Sequence, residues 1–148
     1  MIHFHETIRI DAPVEHVWKV LCDTSRLEDW ITGEKLSEFS GPLDQVGTTF
    51  VTTGRMLGFE MKGTLKVLEV EPLRMVHLRA DMMSMDSFYR FEPEGEATRM
   101  IVEGDYDMPG HIPEFIKSLM TKSWTERQMR HQLENFKGIA EVTVPAHA

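Results

Sequence analysis

The sequence predicts an α+β protein: an antiparallel sheet of about seven strands, with two short helices after the first strand and one long helix at the C-terminal end. Three observations predict it. An apolar stripe at helical spacing (Val14, Val17, Trp18, Leu21) follows directly on a first strand. Strand-length segments separated by Gly and Pro turns then fill the middle of the chain, and an uninterrupted helical stretch begins at Pro113.

Taken in order, residues 1–10 read as a strand that stops at Asp11. Pro13 falls in the first turn of the helix that follows, where its missing N–H and fixed φ cost least. Asp23, Thr24 and Ser25 then offer side-chain oxygens to cap a shorter helix running toward Trp30. Residues 35–39 and 48–53 are the next two strands. The clearest alternation runs over 59–67, with Phe59, Met61, Leu65 and Val67 on one face and Glu60, Lys62, Thr64 and Lys66 on the other. Parity inverts at Leu68, Glu69 and Val70, so a bulge or the strand's end belongs near Val67. Gly63 lies on the apolar face, where a bend or the close approach of a ligand suits a missing side chain. Residues 74–80, 87–91 and 98–106 supply three more strands, with connections short enough for antiparallel neighbours. From Pro113 to about Lys137 no Gly or Pro interrupts a helix of six or seven turns. Its apolar side is Ile116, Leu119, Met120, Met129, Leu133 and Phe136, and its middle is polar apart from Trp124.

Composition sets the limits. At 148 residues the chain is expected to form one domain over 1–148, long enough to bury roughly 70% of its unfolded surface. Its 41% hydrophobic and 27% charged residues are those of a globular protein, and no apolar run approaches the roughly 20 residues of a membrane helix. Stable membrane insertion is therefore not expected. A net charge of −8 argues against nucleic acid as a partner and against acidic membranes overall. Lys117, Lys122, Arg127 and Arg130 form a local basic set, read either as a docking face or as the solvated side of the long helix. Cys22 is the single cysteine, so no internal disulfide forms; it is either a buried structural thiol or a nucleophile. With no secretory signal at the N-terminus, a cytoplasmic location is the expectation.

Two patches carry a family resemblance. Ile8, Ile10, Asp11-Ala12-Pro13, Val17-Trp18 with Leu21, Asp23, and Leu27 with Trp30 form the first. Leu133-Glu134-Asn135-Phe136-Lys137 and Ala140-Glu141 form the second. Together they resemble the START-like, helix-grip (SRPBCC) superfamily, in its polyketide cyclase/dehydrase and lipid-transport branch. Between the patches the likeness is one of pattern. The resemblance implies a curved sheet gripping the C-terminal helix around an apolar cavity, and it implies no single activity, because such folds host many.

Eleven methionines are many for this length, and Met56, Met61, Met75, Met100, Met120 and Met129 fall in or near predicted strands and the long helix. Met suits an apolar surface that adapts to its ligand, and it also serves as core filler. Residues 82–85 (Met-Met-Ser-Met) sit where a turn between strands is expected, and read as a mobile lid or as a strand end with ordinary packing. The residues expected to bind a hydrophobic ligand are Phe59, Met61, Tyr89, Met100, Tyr106, Met120 and Trp124.

Polar groups facing inward decide between carrier and enzyme. Glu6 shares parity with Phe4, Ile8 and Ile10, and a buried carboxylate there is a candidate acid or base; a register slip of one residue puts it in water. His77 and Tyr106 are the other catalytic candidates, with Tyr89, Arg55 and Arg79 as polar contacts if they converge, and His111, at the entrance to the long helix, as a residue to line a cavity mouth. Each also has a bland reading, as a packing, wet-face or loop residue. His3 and His5 share a strand face but lack a third metal ligand nearby, so no metal is expected. No phosphate loop, Gly-x-Ser-x-Gly elbow or His-Glu-x-x-His motif is present, and no cofactor is expected. The leading expectation is binding or transport of a small hydrophobic molecule such as a lipid, isoprenoid or polyketide. The alternatives are a polyketide cyclase/aromatase- or dehydratase-like enzyme and, as one related branch implies, a co-chaperone-like interaction module.

Overall fold

Strand β1 (Ile2–Ile10) lies beside the last strand, β7 (Ala97–Tyr106), with Ile2 opposite Tyr106 and Ile10 opposite Thr98. This is seen in a computed structural model that describes residues 1–56, 58–108, 110 and 112–144, with Met56 described by its backbone. Between those strands in sequence come α1 (Val14–Cys22), a 3₁₀ turn (Thr24–Arg26), α2 (Leu27–Trp30), β2 (Glu34–Ser37), β3 (Thr49–Met56), β4 (Phe59–Glu71), β5 (Met75–Ala80) and β6 (Met85–Glu94). Helices α3 (Glu114–Leu119) and α4 (Lys122–Val142) follow. The seven strands form one curved antiparallel sheet in the order β1-β7-β6-β5-β4-β3-β2. Every consecutive pair from β2 to β7 is adjacent, so the short turns of the sequence become a meander, and β1 closes the far edge.

The expected entry into α1 is present: Pro13 precedes its first residue at φ −68°, and Val17, Val20 and Leu21 turn into the core. Asp23 accepts from Ser25 N at 3.1 Å and so starts the 3₁₀ turn that delivers Leu27 and Trp30 inward. In β4 the register slips between Val67 and Glu69, where the apolar parity inverts. The slip keeps Val67 opposite Leu78 and Val70 opposite Val76 although the spacing between Val67 and Val70 is odd. Strand ends differ from the expected ones by up to four residues, the largest shift being the continuation of β4 past the bulge to Glu71.

Helix α4 packs across β1, α1 and α2 through Leu133, Phe136 and Ala140, spaced to share one face. Trp30 meets Phe136 edge-to-face at 5.1 Å. The polar rim of this contact is also joined. His16 Nε2 lies 3.0 Å from Ala140 O, Lys137 Nζ donates to Arg9 O at 2.8 Å, and Glu141 Oε2 accepts from Asp11 N at 2.7 Å. The two sequence patches that carry the family resemblance are therefore packed on one another.

One expected element is not continuous. The helix begun after Pro113 ends at Leu119, Met120 leaves helical geometry (ψ 60°), and Thr121 opens α4 by accepting from Trp124 N at 3.2 Å. The break has a packing reason: it folds α3 back so that Ile112, Ile116 and Met120 form a second buried cluster with Phe59, Met61, Met83, Met108 and Trp124. A straight helix would carry Ile112 and Ile116 away from the sheet. Gly63 likewise has a use that was not expected. A Cβ there would lie 3.0 Å from Met82 Cβ and 3.1 Å from Asp81 Oδ1, so the neighbour it accommodates is the β5–β6 turn, whose Asp81 accepts from Thr64 N at 2.8 Å.

Candidate functional site

The sheet, α2 and the α3–α4 segment enclose a cavity of about 310 Å³. Strand alternation builds its walls. On β5 Val76, Leu78 and Ala80 point in while His77 and Arg79 point out, and on β6 Ser87 and Tyr89 point in. Helices contribute Leu21, Leu27 and Trp30 at one end and Met120, Trp124 and Met129 at the other. Thr32, Glu34, Arg55 and Gln128 line the cavity and are exposed, which places its open side between the β2–β3 end of the sheet and the first half of α4.

Two polar sites interrupt the apolar walls. At the α4 side the Tyr106 hydroxyl lies 2.5 Å from Thr125 Oγ1 and 3.3 Å from Met120 O, so its hydrogen-bonding capacity is taken up by the fold. Burial pushes the Tyr106 phenol up, and the Thr125 hydrogen bond works against it. At the open side Glu34 shares the inward face of β2 with Leu36, opposite Gly54. Its carboxylate accepts from Thr52 Oγ1 at 3.0 Å. The residue reaches water through the opening while protein surrounds most of its carboxyl; that desolvation raises its pKa above the usual carboxylate value, opposed by the Thr52 hydrogen bond. Tyr89 stands nearby. Burial first and the Glu34 charge second push its phenol well above the ordinary range, so it remains a neutral hydrogen-bond donor.

Of the residues expected to bind ligand, Met61, Tyr89, Tyr106, Met120 and Trp124 line the cavity. Phe59 and Met100 do not. Phe59 packs against the Ile112–Ile116–Met120 cluster, and Met100 is fully buried in the main core. Met82, Met83 and Met85 of the methionine turn line the cavity as well.

Glu6 and His77, expected as catalytic candidates facing inward, do not line the cavity. Glu6 does lie on the face of β1 that carries Phe4 and Ile10, but α4 covers that face, and Arg130 donates to its carboxylate at 2.9 and 3.5 Å. It is a strand-to-helix ion pair and does not line the cavity. His77 is on the outer face, stacked on Phe88 at 4.1 Å, with Nε2 donating to Asp86 at 2.8 Å. Arg79 bonds the same Asp86 at 2.6 Å. Arg55 lines the rim and faces Glu60 at 3.7 Å. His111 lies outside the described residues.

Cys22 is half-buried, and burial with help from Asp44 pushes its thiol up to about 12, which keeps it protonated and unreactive. His3 lies 3.8 Å from Asp105, and no cluster of three or more potential metal ligands occurs among the described residues. No described helix is long and apolar enough to cross a membrane.

Sequence reasoning missed Glu34, Thr52, Trp30 and Ser87. Glu34 carried a signal: alternation with Leu36 puts it on the inward face once β2 starts at 34 rather than 35. Thr52 faces its partner only through the β2–β3 register, which local sequence does not contain.

Solved structures share this architecture. A protein from Thermus thermophilus (TTHA0849) superposes with a TM-score of 0.78 at 17% identity, over 97% of this chain and 99% of that one. The Zhui aromatase/cyclase from Streptomyces sp. R1128 gives 0.79 at 20% identity, over 97% and 96%. Norcoclaurine synthase from Thalictrum flavum, solved with dopamine and hydroxybenzaldehyde, gives 0.70 at 16% identity, over 97% and 88%. Identities this low establish a shared fold. No curated protein matches the chain. The family described as polyketide cyclase / dehydrase and lipid transport matches residues 1–141, and the chain belongs to that family.

Proposed function

We propose that this protein binds a small, largely apolar molecule in the cavity between sheet and helices, with one polar end of the ligand at Glu34, Thr52 and Tyr89. The cavity carries the reading. At about 310 Å³, with mostly apolar and aromatic walls and a few polar groups, Glu34, Thr52 and Tyr89 among them, it has the composition of a small-molecule site. Removal of ligand surface from water at roughly 25 cal/mol per Å² drives binding, and the polar end sets orientation. The methionines around it adjust to ligand shape. A narrow, filled interior would support the protein-interaction reading, and the cavity does not provide that support.

Titration with Nile red, a neutral dye whose emission reports an apolar site, tests the proposal. The dye is expected to bind at one site in the native protein and to be lost in Ala80→Trp, which fills the cavity, while far-UV circular dichroism is unchanged. Equal binding by the two proteins overturns it.

A second reading, catalysis of the cyclase or dehydratase kind, is favoured by one observation: a carboxyl with a raised pKa and a neutral phenol share one end of an apolar cavity. Glu34 then takes the acid/base role first sought at Glu6 and His77. With a β-hydroxy ketone as substrate, Glu34→Gln is expected to abolish loss of water; turnover retained by that variant removes this reading.

A further inference from the structure

We propose that the cavity selects a ligand carrying a protonated amine, whose ammonium group pairs with Glu34 at the open side while its apolar body lies against Trp30 and Tyr89. The proposal rests on the cavity being a ligand site, and adds the charge and chemical class of the ligand.

The charge inventory of the lining carries it. Among the described residues, Glu34 and Arg55 are the ionisable side chains, apart from phenols, that line the cavity. Arg55 is 71% exposed and directed to Glu60 at 3.7 Å, so its charge is answered outside. Glu34 has no Lys, Arg or His within ion-pair distance among the described residues, and its carboxylate takes one hydrogen bond, from Thr52. A carboxylate at the cavity's open side without a counter-charge gives up part of its hydration to the surrounding protein and gains one hydrogen bond in return. Its desolvated state, which raises its pKa, is the same deficit seen from the proton's side. A cation from the ligand removes that deficit; a neutral alcohol answers it in part, and an anion makes it worse.

The aromatic walls point the same way. Trp30 and Tyr89 both line the cavity and meet edge-to-face at 6.2 Å. Their rings supply the aromatic surface on which the apolar body of the ligand lies while its ammonium reaches Glu34. A net charge of −8 raises the local concentration of cations around the whole molecule.

Three probes with one apolar body separate the charge from the shape: 1-naphthylmethylamine, 1-naphthalenemethanol and 1-naphthoic acid, each titrated calorimetrically at neutral pH. The amine is expected to bind at least about tenfold more tightly than the alcohol, as a charge-assisted hydrogen bond adds roughly that much, and the acid most weakly. Glu34→Gln, which keeps an acceptor for Thr52, is expected to collapse the amine-to-alcohol ratio to near one. Asp86→Asn, which removes a charge from the outer face of the sheet, should leave the ratio unchanged. Equal binding of amine and alcohol by the native protein, or a ratio that survives Glu34→Gln, overturns the proposal. If Nile red binds and none of the three probes does, the amine assignment falls and the cavity reading stands. If Nile red also fails, both fall.

Discussion

The Tyr106 hydroxyl lies 2.5 Å from Thr125 Oγ1, tying the end of β7 to the first turn of α4 beside the cavity. Both residues are buried, so each hydroxyl depends on the other and on Met120 O for its hydrogen bonds. Tyr106→Phe is expected to cost about 1–3 kcal/mol, because Thr125 is left with an unpaired buried hydroxyl. Thr125→Val should cost a similar amount. The double variant should lose less than the two losses combined, since neither orphan remains. Urea denaturation of the four proteins measures the coupling; additive losses would show that the two hydroxyls act independently.

Gly104 and Gly138 make an opposed pair. A Cβ on Gly104 would meet the backbone oxygen of Asp86 at 1.9 Å and Phe4 Cζ at 2.9 Å, contacts that only a shift of β6 relieves. Gly104→Ala is therefore expected to lose more than about 3 kcal/mol or to fail to accumulate in folded form. Gly138 sits in the interior of α4, exposed, with nothing within 4 Å of its missing Cβ. Gly138→Ala should stabilise by about 0.5–1 kcal/mol through helix propensity alone. Thermal unfolding of the two variants in parallel separates the predictions by sign.

The contrast between what the sequence disclosed and what it withheld follows the range of the forces involved. Pro13, Asp23 and the Val17–Trp18–Leu21 stripe act within a few residues, and their helix entry, cap and buried face were legible directly. The β4 bulge was legible because parity is a local property. Glu6 shows where this ends: its face was read correctly, but whether that face meets the cavity or α4 depends on Arg130, 124 residues away. The Thr121 break is a weaker case, since a single Thr in a helical pattern serves equally as a helix residue or a cap. Its choice is made by Ile112 and Ile116 reaching the sheet. Glu34 was missed because a one-residue error in where β2 begins removes it from the strand altogether.

Asp86 on the outer face stabilises the fold in a pH-dependent way. Burial pushes its carboxyl up, but the hydrogen bonds and charges of His77 and Arg79 outweigh this, and the net pKa is below its ordinary 3.8. A carboxyl depressed in the folded state contributes its full stability above the unfolded value and loses it as pH falls through the folded one. Asp86→Asn should therefore be less stable than the native protein at pH 7, with the gap closing once pH drops below about 3.8. Denaturant midpoints at pH 7 and pH 3 check it, and a gap that widens in acid contradicts the assignment.

Glu34 has the opposite sign. Desolvation raises its folded pKa above the ordinary 4.5, so the ionised carboxylate disfavours the folded state at neutral pH. That cost is fully present above the raised folded value, declines as pH falls through it, and vanishes below the unfolded value. Glu34→Gln is expected to raise stability at pH 7 and to leave it unchanged below about 4.5, as denaturant midpoints at the two pH values will read. Lower stability of the variant at pH 7 would mean that the carboxylate is satisfied by the fold, and the case for a ligand counter-charge would go with it. A stability cost found at Glu34, together with its position at the open side of the cavity, would support the proposed ligand contact, since binding residues are often placed at the expense of the fold.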